Sequence, residues 1–383
     1  MPGLLSSTYR LQFHSAFTFD NAARLTEYFS ELGISHIYAS PFLQAAPGSM
    51  HGYDVVDHNA INRELGGEKG LSWFHKRLSD ADMGMILDFV PNHMAISSSE
   101  NKWWRDVLRN GPSSSYSTYF DVDWEYPQEN PSNKILMPIL GNHYGRILEA
   151  KEIIVERKES DFIVKYYDHT FPVAPKSLVD ILNTVANKVN SSELGFIARA
   201  LKNLPDPSLT DRINTRSRNR DMEVLYNLLD RMLSEKPQVR KLIDNEITLL
   251  NANVDRLDWF LNQQNYRLAY WKVARTDLGY RRFFNINSLI AIRMEDDEVF
   301  AETHRLVFQL IKEGVIDGLR IDHPDGLSDP QDYFSDLKQA APHAWIIVEK
   351  ILHRGEGLPA AWPVHGTTGY EFLVLLGGLF VDD

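Results

Sequence analysis

The chain has 383 residues, 43% of them hydrophobic, enough for a sizeable core and for more than one domain. Its formal net charge of -12 repels nucleic acid and anionic membrane alike, so neither is an expected partner. The lack of cysteine excludes disulfides, thiolate catalysis and Cys-based zinc sites. Residues 1–10 do not read as a secretory signal. The longest apolar run, 372–381, falls well short of the ~20 residues of a membrane span. A soluble cytoplasmic protein is the expectation.

The first ninety or so residues alternate strand and helix. Residues 8–13 alternate polar and apolar side chains, as a strand does. Residues 20–32 place Ala22, Leu25, Phe29 and Leu32 at helical spacing, with Gly33 as the stop. Residues 34–40 predict a short strand ending at Pro41. Residues 68–82 put Leu71, Phe74 and Leu78 on one helical face, with Gly84 as its end. Residues 85–90 are an apolar strand interrupted by Asp88. This β-α-β-α-β rhythm implies a parallel sheet with helices outside it.

The rhythm then breaks. Residues 103–145, rich in Pro, Ser, Asn and Tyr, predict loop. Residues 152–173 predict a β-hairpin, its strands flanking the polar turn 156–161. From 191 to about 275 the pattern is helical and highly charged, with one stripe at Leu194, Ile197, Leu201 and Leu204 and another at Leu225, Leu228, Leu229 and Met232. A solvated helical hairpin is the expectation there. The rhythm resumes near Asp296, with a helix over 299–313 closed by Gly314, strands over 316–321 and 345–348, a helix from Pro330, and a last strand near 365–368. The expected fold is α/β: a (β/α)8 TIM-type barrel, incomplete, with about six of eight strands and a large, mainly helical insertion after strand 3. The expected divisions are 1–94 for strands 1–3, 95–295 for the insertion, and 296–383 for strands 4–6, where the barrel is truncated.

Catalytic groups on such barrels sit at the C-terminal ends of strands. Asp88, Asp322 and Glu349 all occupy that position. Side chains two apart on a strand share a face. Arg320 therefore lies with Asp322 and is expected to lower its pKa, which suits a nucleophile. Glu349 follows three apolar residues, and desolvation there is expected to keep it protonated as a general acid. Two carboxyl groups ~5–5.5 Å apart with split pKa values form a retaining glycosidase pair. One Asp after a strand is more often a helix N-cap, but three such carboxylates with Arg320 favour catalysis. Asp88 is a candidate buttress for Arg320.

Asn92 and His93 add polar groups at the third strand's end, and His93 is a candidate donor to sugar hydroxyls. In His51-Gly52-Tyr53-Asp54, Tyr53 is a candidate stacking platform. His51 and Asp54, like His323 directly after Asp322, are candidate sugar contacts. A metal cluster of His51, Asp54, Asp57 and His58 is the weaker reading, because the run lacks a paired-His helical spacing. No Gly-rich phosphate loop or Ser-His-Asp elbow is present. No metal or other cofactor is expected.

In this order, these segments resemble the α-amylase family of glycoside hydrolases. Residues 88–93 are similar to its first signature region and 318–322 to its second, with Asp322 at the nucleophile position. Glu349 is similar to the acid/base of the third, and Tyr53 to the tyrosine that stacks beside the cleaved bond. A closer resemblance, over nearly the whole chain, is to the family branch that forms maltooligosyl trehalose. Ser7-Thr8-Tyr9-Arg10-Leu11-Gln12, Arg281-Arg282-Phe283-Phe284-Asn285-Ile286-Asn287, residues 320–327 and Gly366-Thr367-Thr368-Gly369-Tyr370 carry it, together with the large insertion. Typical amylases place Lys-His shortly after the nucleophile, where this chain has Asp325-Gly326, which disfavours an ordinary amylase. The family's fourth signature, a His-Asp pair supplying a third catalytic carboxylate, has no counterpart in these residues. The resemblance implies the N-terminal half of a protein roughly twice as long.

The resemblance also implies a reaction, an intramolecular transglucosylation on a maltooligosaccharide or α-1,4-glucan. Glu349 protonates the glycosidic oxygen at the reducing end, and Asp322 takes the remaining chain as a covalent intermediate. The released glucose turns over and attacks through its anomeric hydroxyl, deprotonated by Glu349, to leave an α,α-1,1 bond. Water must be excluded, and the insertion is expected to help cover the site. The resemblance implies no cofactor and a functional partnership with a maltooligosyl trehalose trehalohydrolase. Two alternatives stay open on the same residues: an α-amylase-type hydrolase, and an inactive glucan-binding fragment. Unpaired strand edges and the apolar stretch 372–381 predict aggregation and little turnover for these residues standing alone.

Overall fold

The computed structural model of the protein describes residues 5–97, 99–125 and 134–381. It has two compact units, one of residues 1–95 with 282–383, the other of residues 96–281. Residues 282–295, expected in the insertion, thus belong with the strands of the first unit.

The first unit is built on a six-stranded sheet of β1 (Thr8–Leu11), β2 (His36–Ala39), β3 (Gly84–Phe89), β4 (Gly318–Ile321), β5 (Trp345–Val348) and β6 (Gly366–Thr367). Every neighbouring pair is parallel and the spatial order is the chain order. A singly wound order of this kind curls toward a barrel, whereas a doubly wound sheet reverses at a switch point. The sheet is the curled part-barrel that the sequence predicts.

Helices cover its outer face. Helix Gly67–Asp80 buries Leu71, Phe74 and Leu78 as expected. Helix Asp297–Lys312 starts on the Asp296 side chain, which accepts from Glu298 N and Val299 N, and helix Pro330–Ala340 buries Tyr333, Phe334 and Leu337. The expected helix 20–32 is instead two, Phe19–Ala23 and Thr26–Glu31. Leu25 N bonds Ala22 O, a tightened i to i−3 turn that rotates the face. Leu25 and Leu32 therefore end up exposed while Thr26 is buried. Gly84 does not stop a helix either. It opens β3, where a Cβ would lie 2.3 Å from Asp317 Oδ2 and 2.4 Å from the His36 ring. Helix Tyr370–Gly378 follows β6 and exposes Phe372, Leu373, Val374 and Leu375.

Two antiparallel pairs lie beyond the C-terminal strand ends. Leu43–Ala45 pairs with Val55–Ile61 and carries the 51–54 loop between them. His93–Ala95 pairs with Leu289–Ala291, which brings residues 282–291 beside the exit of β3.

The second unit has its own core. Ile135–Leu140 pairs in parallel with Tyr266–Tyr270. Residues 153–172 form three antiparallel strands, Ile153–Lys158, Asp161–Tyr166 and His169–Pro172, where a two-stranded hairpin was expected. The stretch 103–145 is not simply loop. Asn101 caps helix Lys102–Asn110 by accepting from Trp104 N, and Trp104, Val107 and Leu108 are buried beneath it. Residues 126–133 of that stretch lie outside the described residues. Nor is the helical region a solvated hairpin. Leu194, Ile197, Leu201, Leu225, Leu229 and Met232 are all buried, and Leu228 only partly. No helix among the described residues is long and apolar enough to cross a membrane.

His304, on the inward face of helix Asp297–Lys312, is fully buried, its Nδ1 2.9 Å from Phe300 O and its Nε2 2.9 Å from Tyr333 OH. Burial pushes its pKa down from 6.5 to about 3. Between those values the unfolded chain binds the proton and the folded chain does not. The stability owed to neutral His304 is therefore complete above pH 6.5 and lost as pH falls toward 3. His304→Gln is predicted to flatten the acid limb of Tm against pH. A Tm difference from the parent that stays constant between neutral and acid pH would contradict this.

Candidate active site

The parallel register decides which side chains meet. Arg320 on β4 lies opposite Asp88 on β3 and Ile347 on β5. Asp322 N and Glu349 N continue the pattern, donating to Phe89 O and Ile321 O at 2.9 Å. With a side-chain period of two, Asp88, Arg320, Asp322 and Glu349 share one face at the C-terminal strand ends.

There Arg320 joins three carboxylates. Its Nη1 lies 2.7 Å from Asp88 Oδ1 and 2.6 Å from Asp322 Oδ1, and its Nη2 lies 3.2 Å from Glu349 Oε1. Asp88 is wholly buried and takes three further donors on Oδ2: Arg10 Nη1 at 3.0 Å, Tyr53 OH at 2.6 Å and Tyr38 OH at 3.1 Å. That saturates the acceptor capacity of a carboxylate.

The balance of charge differs from the sequence expectation. Three carboxylates face two guanidiniums, Arg10 and Arg320, so full ionisation leaves one excess negative charge. Burial, with Asp88 and Glu349 nearby, outweighs Arg320 and pushes the Asp322 carboxyl up to about 7, not down. Burial works against the charge on Arg320, but Asp88, Asp322 and Glu349 outweigh it and hold the guanidinium protonated. The expected desolvation of Glu349 by 346–348 also fails geometrically. Ile346 and Val348 are buried on the opposite face, and the Glu349 side chain is 27% exposed.

His323 takes a left-handed backbone (φ 45°, ψ 53°), uncommon for a residue with a side chain, and aims its N–H at Glu349 Oε2, 2.9 Å away. Its ring lies 5.0 Å from Phe283 and 4.9 Å from Phe284. Gly326 packs beneath it, where a Cβ would come within 2.4 Å of the His323 ring and 2.5 Å of Asn92 Oδ1. His93 is buried and neutral, its pKa pushed down to about 3 by burial. Its Nε2 lies 3.2 Å from Tyr53 O and its ring 4.3 Å from Phe283. That nitrogen anchors the Tyr53 backbone here, where the sequence suggested a donor to sugar. Asn92 is buried, and its carbonyl accepts from Ile292 N.

In the 51–54 loop, Gly52 (φ +81°) leaves no room for a Cβ, which would lie 2.3 Å from Pro41 O. Asp54 accepts from Ser49 Oγ and lies 3.8 Å from His51 Nδ1. These two side chains shape the turn that delivers Tyr53. His58 Nε2 lies 3.0 Å from Val90 O, and Asp57 accepts from Asn59 N, so neither joins His51 and Asp54. A cleft of about 580 Å3 at the opposite strand ends, between His36, Gly84, Asp317 and His343, is remote from this ion network.

Sequence reasoning brought Asp88, Arg320, Asp322, Glu349 and Tyr53 to one place. It missed Arg10, Tyr38, Phe283 and Phe284 as members. Alternation along β1 marks Arg10 as sharing a face with Thr8, but nothing local says that face meets Asp88.

Parallel strands in sequential order, with carboxylates gathered on an arginine at their C-terminal ends, are the features of an α-amylase-type catalytic part-barrel. Residues 23–146 match the family model of the alpha-amylase catalytic domain. The chain is 34% identical to a Mycobacterium tuberculosis protein assigned as a maltooligosyl trehalose synthase, over 98% of this chain and 38% of that protein. The solved maltooligosyltrehalose synthase of Arthrobacter ramosus is 33% identical, with a TM-score of 0.70, over 98% of this chain and 38% of that one. A Sulfolobus tokodaii structure described as a hypothetical maltooligosyl trehalose synthase is 30% identical, with a TM-score of 0.66, covering 100% and 42%. The chain is thus similar along nearly all of its length to maltooligosyl trehalose synthases, and it spans about two fifths of their length.

Two outcomes follow from the ion network. Arg320→Met leaves buried Asp88 and Asp322 short of a cation and is predicted to destabilise the fold by about 3–5 kcal/mol, read from urea unfolding midpoints. A loss near zero would show the network to be dispensable. For Asp322, a folded pKa near 7 against 3.8 unfolded means that its contribution is complete below pH 3.8 and lost as pH rises through 7. Asp322→Asn, which cannot ionise, should therefore gain Tm over the parent as pH is raised from 5 to 8. A pH-independent difference would contradict the raised value.

Proposed function

We propose that this chain carries the nucleophile and the acid/base group of a maltooligosyl trehalose synthase acting on maltooligosaccharides or longer α-1,4-glucans. The observation that supports it most is one guanidinium holding Asp322 and Glu349 on different nitrogens at the ends of adjacent strands. Retaining glycosyl transfer needs one carboxyl ionised and one protonated. Arg320, in contact with both, is placed to offset whichever of the two is ionised.

In this reading Asp322 attacks the anomeric carbon of the penultimate sugar. The bond to the reducing-end glucose breaks, and Glu349 gives its proton to the departing oxygen. The glucose then presents its anomeric hydroxyl, Glu349 takes that proton back, and the Asp322–sugar bond breaks as the α,α-1,1 bond forms. Arg320 compensates the charge that moves between the two carboxyls. Tyr53 offers its ring to the sugar, held by Asp88 through its hydroxyl and by His93 through its backbone. Asn92 and His323 order the floor, and His51 and Asp54 shape the Tyr53 turn. The Asp325 carboxylate pairs with Lys350 at 2.9 Å, and Gly326 admits the His323 ring, so this segment is built unlike the Lys-His of typical amylases. A cytoplasmic location and partnership with a trehalohydrolase that cleaves the product belong to the same reading.

Incubation with maltopentaose tests it. Free reducing ends should fall as the anomeric carbon becomes locked in the new bond. A rise would assign a hydrolase, and binding without either change would assign a glucan-binding role. Asp322→Asn should cut turnover by roughly a thousandfold or more while sparing maltopentaose binding. Retained turnover would remove Asp322 from the nucleophile position.

A further inference from the structure

Arg10 is the second cation of the carboxylate cluster. It stands on β1, two strands from Asp88, and reaches across β2 to it. One terminal nitrogen lies 3.0 Å from Asp88 Oδ2 and the other 2.9 Å from Tyr53 OH. Its guanidinium carbon lies 4.5 Å from the centre of the Tyr38 ring. Tyr53 OH in turn donates to Asp88 Oδ2 at 2.6 Å, so Arg10, Asp88 and Tyr53 close a triangle. The planar fork of arginine fits this arrangement, since it presents parallel donors to two acceptors while stacking on an aromatic face. A lysine ammonium can neutralise Asp88 but cannot hold Tyr53 in the same geometry.

We propose that Arg10 is a positioning residue, resting on the function proposed above, with two separable effects. Its charge offsets Asp88, which shares Arg320 with Asp322, and so bears on how readily Asp322 ionises. Its second nitrogen holds the Tyr53 hydroxyl, which sets the ring where a sugar stacks. Arg10 touches no reacting atom and acts only through Asp88 and Tyr53. The Arg10 side chain is 35% exposed against 5% for Arg320, so a structural role in burying charge falls mainly to Arg320.

The test uses Arg10→Met, Arg10→Lys, Tyr53→Phe and the double variant Arg10→Met/Tyr53→Phe. Two readouts are needed: carboxyl titration by 13C NMR without substrate, and maltopentaose affinity by calorimetry. Arg10→Met should move the highest carboxyl midpoint of the cluster to higher pH, and Arg10→Lys should return it toward the parent. Arg10→Met should weaken maltopentaose binding by roughly 3- to 10-fold, Arg10→Lys should not restore it, and adding Tyr53→Phe should cost little more. Unchanged midpoints, or additive losses in the double variant, would overturn the proposal. So would a fall in Tm common to all Arg10 variants with no difference between Lys and Met. If the parent binds no maltopentaose, the functional reading fails, and the titration still decides whether Arg10 sets the protonation of the cluster.

Discussion

One guanidinium organises the first unit. Arg320 is buried, and a buried cation persists only where anions meet it. It meets three, each delivered by a different strand. The parallel register between β3, β4 and β5 is thus tied to charge as well as to backbone bonds. A slip of one residue on any of these strands would turn a carboxylate to the helix side and leave Arg320 uncompensated.

That constraint explains the protonation of the site. Arg320 alone would favour ionised Asp322, which is the local view. The network adds two more carboxylates and only one more cation, and burial then lifts Asp322 toward neutrality. That excess costs stability as pH rises, because the buried Asp322 resists ionising. Strain follows a similar pattern. His323 holds an uncommon backbone conformation directly after Asp322, and it uses that conformation to present an N–H to Glu349.

The second unit shows why composition misleads. Its helices carry many charges, which suggests a solvated hairpin. Each still keeps an apolar stripe, and those stripes bury one another and the short strands between them. Helix Lys102–Asn110 went unread because its neighbours are rich in loop-forming residues. The Asn101 cap and the spacing of Trp104, Val107 and Leu108 were present but short.

The six strands, their parallel sense and the carboxylates at their ends were legible in the sequence, because hydrophobic period and turn residues are local properties. The pairing of Arg320 with Asp322 was legible too, since side chains two apart on a strand must share a face. The same rule, applied to 346–349, would have placed Ile346 and Val348 away from Glu349. Tertiary structure alone decided the rest. It brought Arg10 across β2 to Asp88, turned the His93 nitrogen onto the Tyr53 backbone, and set Phe283 beside His323 from a strand pairing distant in sequence. Charge balance depends on every group within a few ångströms, whichever strand it comes from, and no local pattern counts those groups.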